Sequence, residues 1–192
     1  DENKLNDVSK TKIAAMKSDE VYEKLTAWAK EFDSEFYEML VVNPDFTKGM
    51  LSIDRDEAKK PRKDLAKWSE AKQYFAYFFD ALYTPNHTLP ENIDAADAKA
   101  FLAEYKKVYD VADDRQAWFD KIKLVAPKLQ FAAETKEYKA NPDAYKGSAG
   151  DLSTILRIAI TGRTNTPDLC SIMQVLGYDE CIKRIDAMIE VL

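Results

Sequence analysis

Between Leu152 and Pro167 the chain reads LSTILRIAITGRTNTP. It carries Arg157, Arg163, Asn165 and four threonines, and no Asp or Glu. Apolar runs flank it, so this reads as a polar loop set between two helices. Arginine offers five donors in a planar fork, and Asn and Thr each donate and accept. Such a loop is suited to hydrogen-bonding the edges of a planar polar group and to attracting negative charge. On chemistry alone, Arg163 and Asn165 are its candidate binding residues.

Other chemistries lack their residues. His87 is the single histidine, so a multi-His metal site is impossible and a Ser–His–acid triad would rest on one loop residue. No Gly-rich phosphate loop is present. Carboxylates are abundant but lie on the outer faces of amphipathic segments, where charge is solvated. Cys170 and Cys181 are eleven positions apart, unlike a structural zinc pair, and read as reduced, buried thiols. The aromatic row Tyr74, Phe75, Tyr77, Phe78, Phe79 reads as core. No catalytic residue and no metal ligand is assigned.

Composition sets the frame. The 192 residues suffice for one domain or two small ones. Ala, Lys, Glu, Leu and Tyr dominate and β-branched alternation is scarce, which predicts an all-α fold. A net charge of −6 argues against a broad basic surface for nucleic acid but leaves room for a local basic patch. Two unpaired cysteines suit a reducing compartment. No apolar run reaches membrane length, and no signal peptide is visible. The chain opens on DENKLNDVSK without Met, which reads as a piece of a longer polypeptide, with processing as the alternative.

The elements that position the loop follow from periodicity. Ser18 is the expected N-cap of DEVYEKLTAWAKEF, with Val21, Leu25, Trp28, Ala29 and Phe32 on one face. SEFYEMLVV ends before Asn43-Pro44, because a residue preceding proline avoids the α region. Pro61 opens the long run RKDLAKWSEAKQYFAYFFDALY. TPNHTLPEN is a turn-rich break that separates two helical subdomains. Further helices are expected over DAADAKAFLAEYKKVYD, burying Phe101, Leu102, Tyr105 and Val108, and over DDRQAWFDKIKLVA. Another is expected from Pro127 to about Tyr138, and one over DLSTILRIAI, burying Leu152, Ile155, Leu156 and Ala159. Thr166-Pro167 should open the next, with Thr as N-cap, and Gly177 should close it. A last helix buries Ile182, Ile185, Met188 and Ile189.

ILRIAITGRTNTPDLCSIMQVLG followed by YDECIKRIDAMIEVL resembles the end of the anticodon-binding region of bacterial glutamyl-tRNA synthetases. Arg157, Thr161-Gly162, Thr166-Pro167, Leu176-Gly177 and Arg184-Ile185 carry the likeness. KLNDVSK near the start, and Lys60, Arg62 and Lys63 before the aromatic run, fit the same family. The resemblance implies two packed helical subdomains of the class I aminoacyl-tRNA synthetase anticodon-binding, helical-cage type. Residues 1–17 would be the connection to a missing catalytic half, 18–90 the first subdomain and 91–192 the second. That half's His-x-Gly-His and Lys-x-Ser-Lys signatures are absent, so the chain should not form an aminoacyl-adenylate by itself.

By the same resemblance, Arg157, Thr166, Pro167 and Leu169 would contact the first and middle anticodon bases. The amides opening a Pro167 helix would face phosphate. Arg55 and Arg62 are candidates for reading the third base, with Lys63 beside them. Whether tRNA-Gln is also charged stays open. The implied partners are the tRNA-Glu anticodon stem-loop and the catalytic half of the same chain, in a cytoplasmic, monomeric enzyme. ATP and magnesium would serve that enzyme, with no cofactor in this segment. The alternative is a stand-alone helical interaction module that binds no RNA.

Overall fold

The computed structural model describes residues 1–192; its regular elements are all helices, with one isolated bridge, Ala132 to Ser148, as its only β pairing. The chain divides into two compact units, Asp1–Tyr83 and Thr84–Leu192. No helix is long and apolar enough to cross a membrane.

In the first unit α1 (Glu2–Ala15) buries only Ile13 and Ala14. Helices α2 (Ser18–Phe32), α3 (Ser34–Val41) and α4 (Pro44–Ser52) pack on one another. Val21, Leu25, Ala29, Phe36, Leu40 and Met50 make their core. Ser18 is not the cap of α2. Its N–H donates to Asp56 Oδ1 at 2.8 Å and its hydroxyl to Asp56 Oδ2, so a carboxylate 38 residues away caps the helix. Asn43-Pro44 both stops α3 and starts α4. Asn43 accepts the Phe46 N–H at 3.2 Å, and Pro44 has no N–H to leave unpaired. Inside, the buried Thr47 hydroxyl donates to the Leu40 carbonyl at 2.7 Å.

The long run after Pro61 is not one helix. It breaks into a 3₁₀ turn at Trp68–Glu70, the single turn α5 (Ala71–Tyr74) and another 3₁₀ turn at Ala76–Phe78. Phe75, Tyr77, Phe78 and Phe79 are all buried. At about 100° per residue, one helix would spread those four around its circumference. Broken turns let them all face inward, where Phe78 and Phe79 meet Phe46 edge-on at 6.3 and 6.1 Å.

In the second unit α6 (Ala95–Lys106), α7 (Arg115–Val125), α9 (Ala149–Thr161) and α11 (Tyr178–Val191) surround one core, and α10 (Leu169–Leu176) packs on α7 and α11. α8 (Thr135–Ala140) lies outside it and buries nothing. Phe101, Leu102, Tyr105, Ile122, Leu152, Ile155, Leu156, Ile185 and Met188 are fully buried. Val108 is only partly covered, and Tyr109, stacked on Tyr105 at 5.8 Å, takes the inner place. Ile182 and Ile189 are likewise half-covered, while Cys181 and Arg184 lie inside.

The helix expected from Pro127 to Tyr138 is interrupted. After a 3₁₀ turn at Ala126–Leu129, Gln130 turns left-handed, with φ at 64°. Phe131 then enters the core, and Ala132 pairs with Gly147 and Ala149 through backbone bonds of 2.9 and 2.8 Å. A β-carbon at Gly147 would sit 3.0 Å from the Phe131 ring and 2.6 Å from Asp151, which explains the glycine.

Candidate nucleic-acid interface

The polar loop leaves α9 at a left-handed turn. Gly162 has φ 71°, and its N–H closes the helix on the Ile158 carbonyl at 2.8 Å. A β-carbon there would lie 3.2 Å from the Asn86 nitrogen, so glycine is required by both dihedral and space. Thr161, 3% exposed, donates its hydroxyl to the Arg157 carbonyl at 2.7 Å and accepts the Arg163 N–H at 3.1 Å.

Arg157 points along the loop from beneath. Its Nη1 donates to the Thr166 hydroxyl and, at 2.9 Å, to the Pro167 carbonyl. The guanidinium thus reaches the loop and braces the last turns of α9 against its far end. Thr166, Pro167 and Leu169 are buried, Leu169 at 1% exposure. Their side chains set the path of the backbone rather than face solvent. Thr164 and Asn165 are exposed and Arg163 is half-buried, so these three form the outward surface.

The next helix starts later than Thr166-Pro167 implied. Asp168 is the N-cap of α10, accepting from the Ser171 N–H at 2.9 Å and the Ser171 hydroxyl at 2.6 Å. Thr166 does not cap because its hydroxyl is engaged with Arg157 and with the Pro167 carbonyl. A carboxylate therefore already occupies the helix N-terminus that was expected to receive phosphate. Arg115, on α7, pairs with Asp168 at 3.1 Å and offsets that charge.

The arginines of the first unit are placed differently. Arg55 donates from Nε to the Leu51 carbonyl at 3.0 Å, and from Nη1 to the Ile13 carbonyl at 2.6 Å and the Met16 carbonyl at 3.1 Å. It closes the C-terminal ends of α1 and α4 and is not set out for a ligand. Burial lowers its pKa. Arg62 forks onto Asp64 at 2.8 and 3.1 Å, and the Tyr74 hydroxyl donates to the same carboxylate at 2.7 Å. The bond to Asp64 raises the Arg62 pKa, and burial raises that of Tyr74. Lys60 and Lys63 are exposed beside this cluster.

Cys170 and Cys181 are buried free thiols, each pushed up to about 11 by burial. Partial burial lowers the pKa of His87. No group of three or more His, Cys, Asp or Glu side chains is placed to hold a metal ion.

The helical frame thus holds a polar stretch without acids from Leu152 to Pro167 and turns Thr164 and Asn165 outward. Residues 20–189 match the family model of the anticodon binding domain, and the chain belongs to that family. The stand-alone interaction module is set aside by that membership. Among curated proteins, the chain is 44% identical over 193 residues to a glutamate–tRNA ligase of Clostridium beijerinckii, across 98% of this chain and 35% of that protein. The glutamate–tRNA ligase of Acetivibrio thermocellus is 42% identical across 98% of this chain and 34% of its own length. That of Sorangium cellulosum is 36% identical across 95% and 32%. The chain thus spans about a third of the length of these relatives.

Sequence reasoning missed Thr164, Asp168 and Arg115, and named Arg184 only as part of the likeness, without its place at the end of α9. Thr164 carried the same signal as Asn165. Asp168 in Thr-Pro-Asp had the stronger cap signal. Arg115 and Arg184 meet the loop's ends only through the tertiary fold.

Proposed function

We propose that this chain reads the anticodon of tRNA-Glu, as the anticodon-binding third of a glutamate–tRNA ligase. The observation that carries the reading is the 44% identity to a glutamate–tRNA ligase over nearly the whole chain. Joining glutamate to tRNA with ATP and magnesium would belong to the remainder of that polypeptide, its partner in the same monomeric, cytoplasmic enzyme.

Anticodon bases are unstacked, with free Watson–Crick edges, and are recognised by hydrogen bonds and stacking. Arg163, Thr164 and Asn165 supply outward donors and acceptors, while Arg157, Thr166, Pro167 and Leu169 fix their geometry and offer backbone groups. In the first unit Arg62, held flat by Asp64, is suited to a third base, and Lys60 and Lys63 to phosphate. The test is a titration of the chain with tRNA-Glu and with a tRNA of unrelated anticodon. The expected result is tighter binding of tRNA-Glu by more than about tenfold. Equal affinities would refute it. Glutamate-dependent pyrophosphate exchange by the chain alone is expected to be absent, and its detection would refute the division of labour.

A further inference from the structure

Arg184 is the one charged side chain buried in the molecule, at 3% exposure. It lies in the middle of α11, outside the polar loop. Its Nε donates to Glu180 Oε1 at 2.9 Å, one helical turn back, and its Nη1 to the Ile160 carbonyl at 2.7 Å. Ile160 is the next-to-last residue of α9. Its carbonyl is among those that a helix end leaves without an intrahelical donor. The carbonyls of Arg157 and Ile158 are met by the Thr161 hydroxyl and the Gly162 N–H. Arg184 thus completes the end of α9 two residues before the left-handed turn from which the loop departs.

An ion pair with one partner buried and the other partly exposed is a poor source of stability. Desolvating the guanidinium is costly, and a well-packed apolar residue of similar volume often serves as well. What the guanidinium adds is direction, because its planar fork fixes angle as well as distance. Glu180 sets the fork, and the fork sets the last turn of α9. The loop's other end is held by Arg157 on Thr166 and Pro167, and by Asp168 on Ser171.

We infer that Arg184, oriented by Glu180, is a positioning residue for base discrimination: it fixes the take-off of loop 162–168 so that Arg163, Thr164 and Asn165 meet the RNA in one geometry. This rests on the reading of that loop as the anticodon contact. It predicts that loosening Arg184 lowers the discrimination between anticodons more than the general affinity for RNA, which comes from phosphate contacts that tolerate displacement.

The experiment uses the 192-residue chain with Arg184→Met, Arg184→Lys and Glu180→Gln. Three quantities are measured: the melting temperature, the hydrogen exchange of the 162–166 amides without RNA, and the ratio of Kd values for tRNA-Glu with one anticodon base replaced and for tRNA-Glu itself. For Arg184→Met, exchange at residues 163–165 should rise about tenfold. The discrimination ratio should fall about tenfold, with the Kd for the base-replaced tRNA unchanged. Arg184→Lys should restore part of the ratio, and Glu180→Gln should lie between it and wild type. If Arg184→Met does not fold, Glu180→Gln carries the same readouts. A lower melting temperature with exchange and ratio unchanged would overturn the inference and leave Arg184 a stabilising contact only. A wild type that does not discriminate would instead contradict the anticodon reading itself.

Discussion

From Ile53 to Asp64 the acids Asp54, Asp56, Glu57 and Asp64 are interleaved with Arg55 and Arg62; from Leu152 to Pro167 there is no acid at all. The two arginine-bearing segments therefore spend their cations differently. In the first, Arg62 is neutralised by Asp64 and Arg55 is turned onto the backbone of α1 and α4. In the second, Arg157 is turned inward as well, onto Thr166 and Pro167, and the stretch from Leu152 to Pro167 that carries Arg163 and Asn165 holds no acid. The direction an arginine takes in a surface break is set by the acids and carbonyls that it can reach. Both kinds of partner are local in space, and only the first is local in sequence.

Arg55→Ala should separate the two regions most sharply. Three carbonyls lose their donor, and stability should fall by about 2–3 kcal/mol in urea unfolding, the scale of bonds to a charged group. Affinity for tRNA-Glu, measured where the variant is fully folded, should stay within about twofold, since this arginine meets the backbone rather than the RNA. A large loss of affinity at full folding would place Arg55 in the interface. Arg157→Ala comes next. Recognition of tRNA-Glu should weaken by about 0.5–2 kcal/mol through the loosened loop, with a smaller loss of stability. Arg157→Lys should recover only part, because a point charge cannot hold the Thr166 hydroxyl and the Pro167 carbonyl as a fork does. Replacing the exposed Lys128 should change neither quantity.

The thiols give a pH test that bears on the core of the second unit. Cys170 and Cys181 are raised from 9.0 to about 11. The unfolded chain ionises first, so the stability tied to the protonated thiols is full below pH 9 and falls as pH rises from 9 to 11. Tyr105 and Tyr109, also raised by burial, act in the same direction. At pH 8 a thiol reagent should label neither cysteine until the protein unfolds, and rapid labelling of the native chain would contradict their burial. The smallest effect is expected at Lys63. Its replacement should weaken RNA binding uniformly across anticodon sequences and lower the salt slope by about one. A base-dependent loss would show that it reads sequence.

The strongly periodic helices were legible because one apolar stripe decides them. Leu152, Ile155, Leu156 and Ala159 face inward as their spacing requires. The broken turns after Trp68 were not, because a dense aromatic row satisfies a helical pattern while its core demands that neighbours point the same way. α4 was hidden by Asn43-Pro44, which reads as a stop although it caps the following helix. In the loop, residue types were legible and directions were not. Nothing in RIAITGRTNTP tells which arginine turns inward, since that depends on a carbonyl nine or ten residues on. Arg184 stood out in the sequence as part of the family likeness, but only the packing of α11 on α9 shows it buried.

A double-mutant cycle between Asn165→Ala in the protein and a single base change in the anticodon of tRNA-Glu tests the account at its centre. If the exposed tip of the loop reads the anticodon, the two changes must couple by about 1 kcal/mol or more at one anticodon position and by nothing at the others. Additive effects at every anticodon position, with Arg163→Ala equally uncoupled, would contradict it.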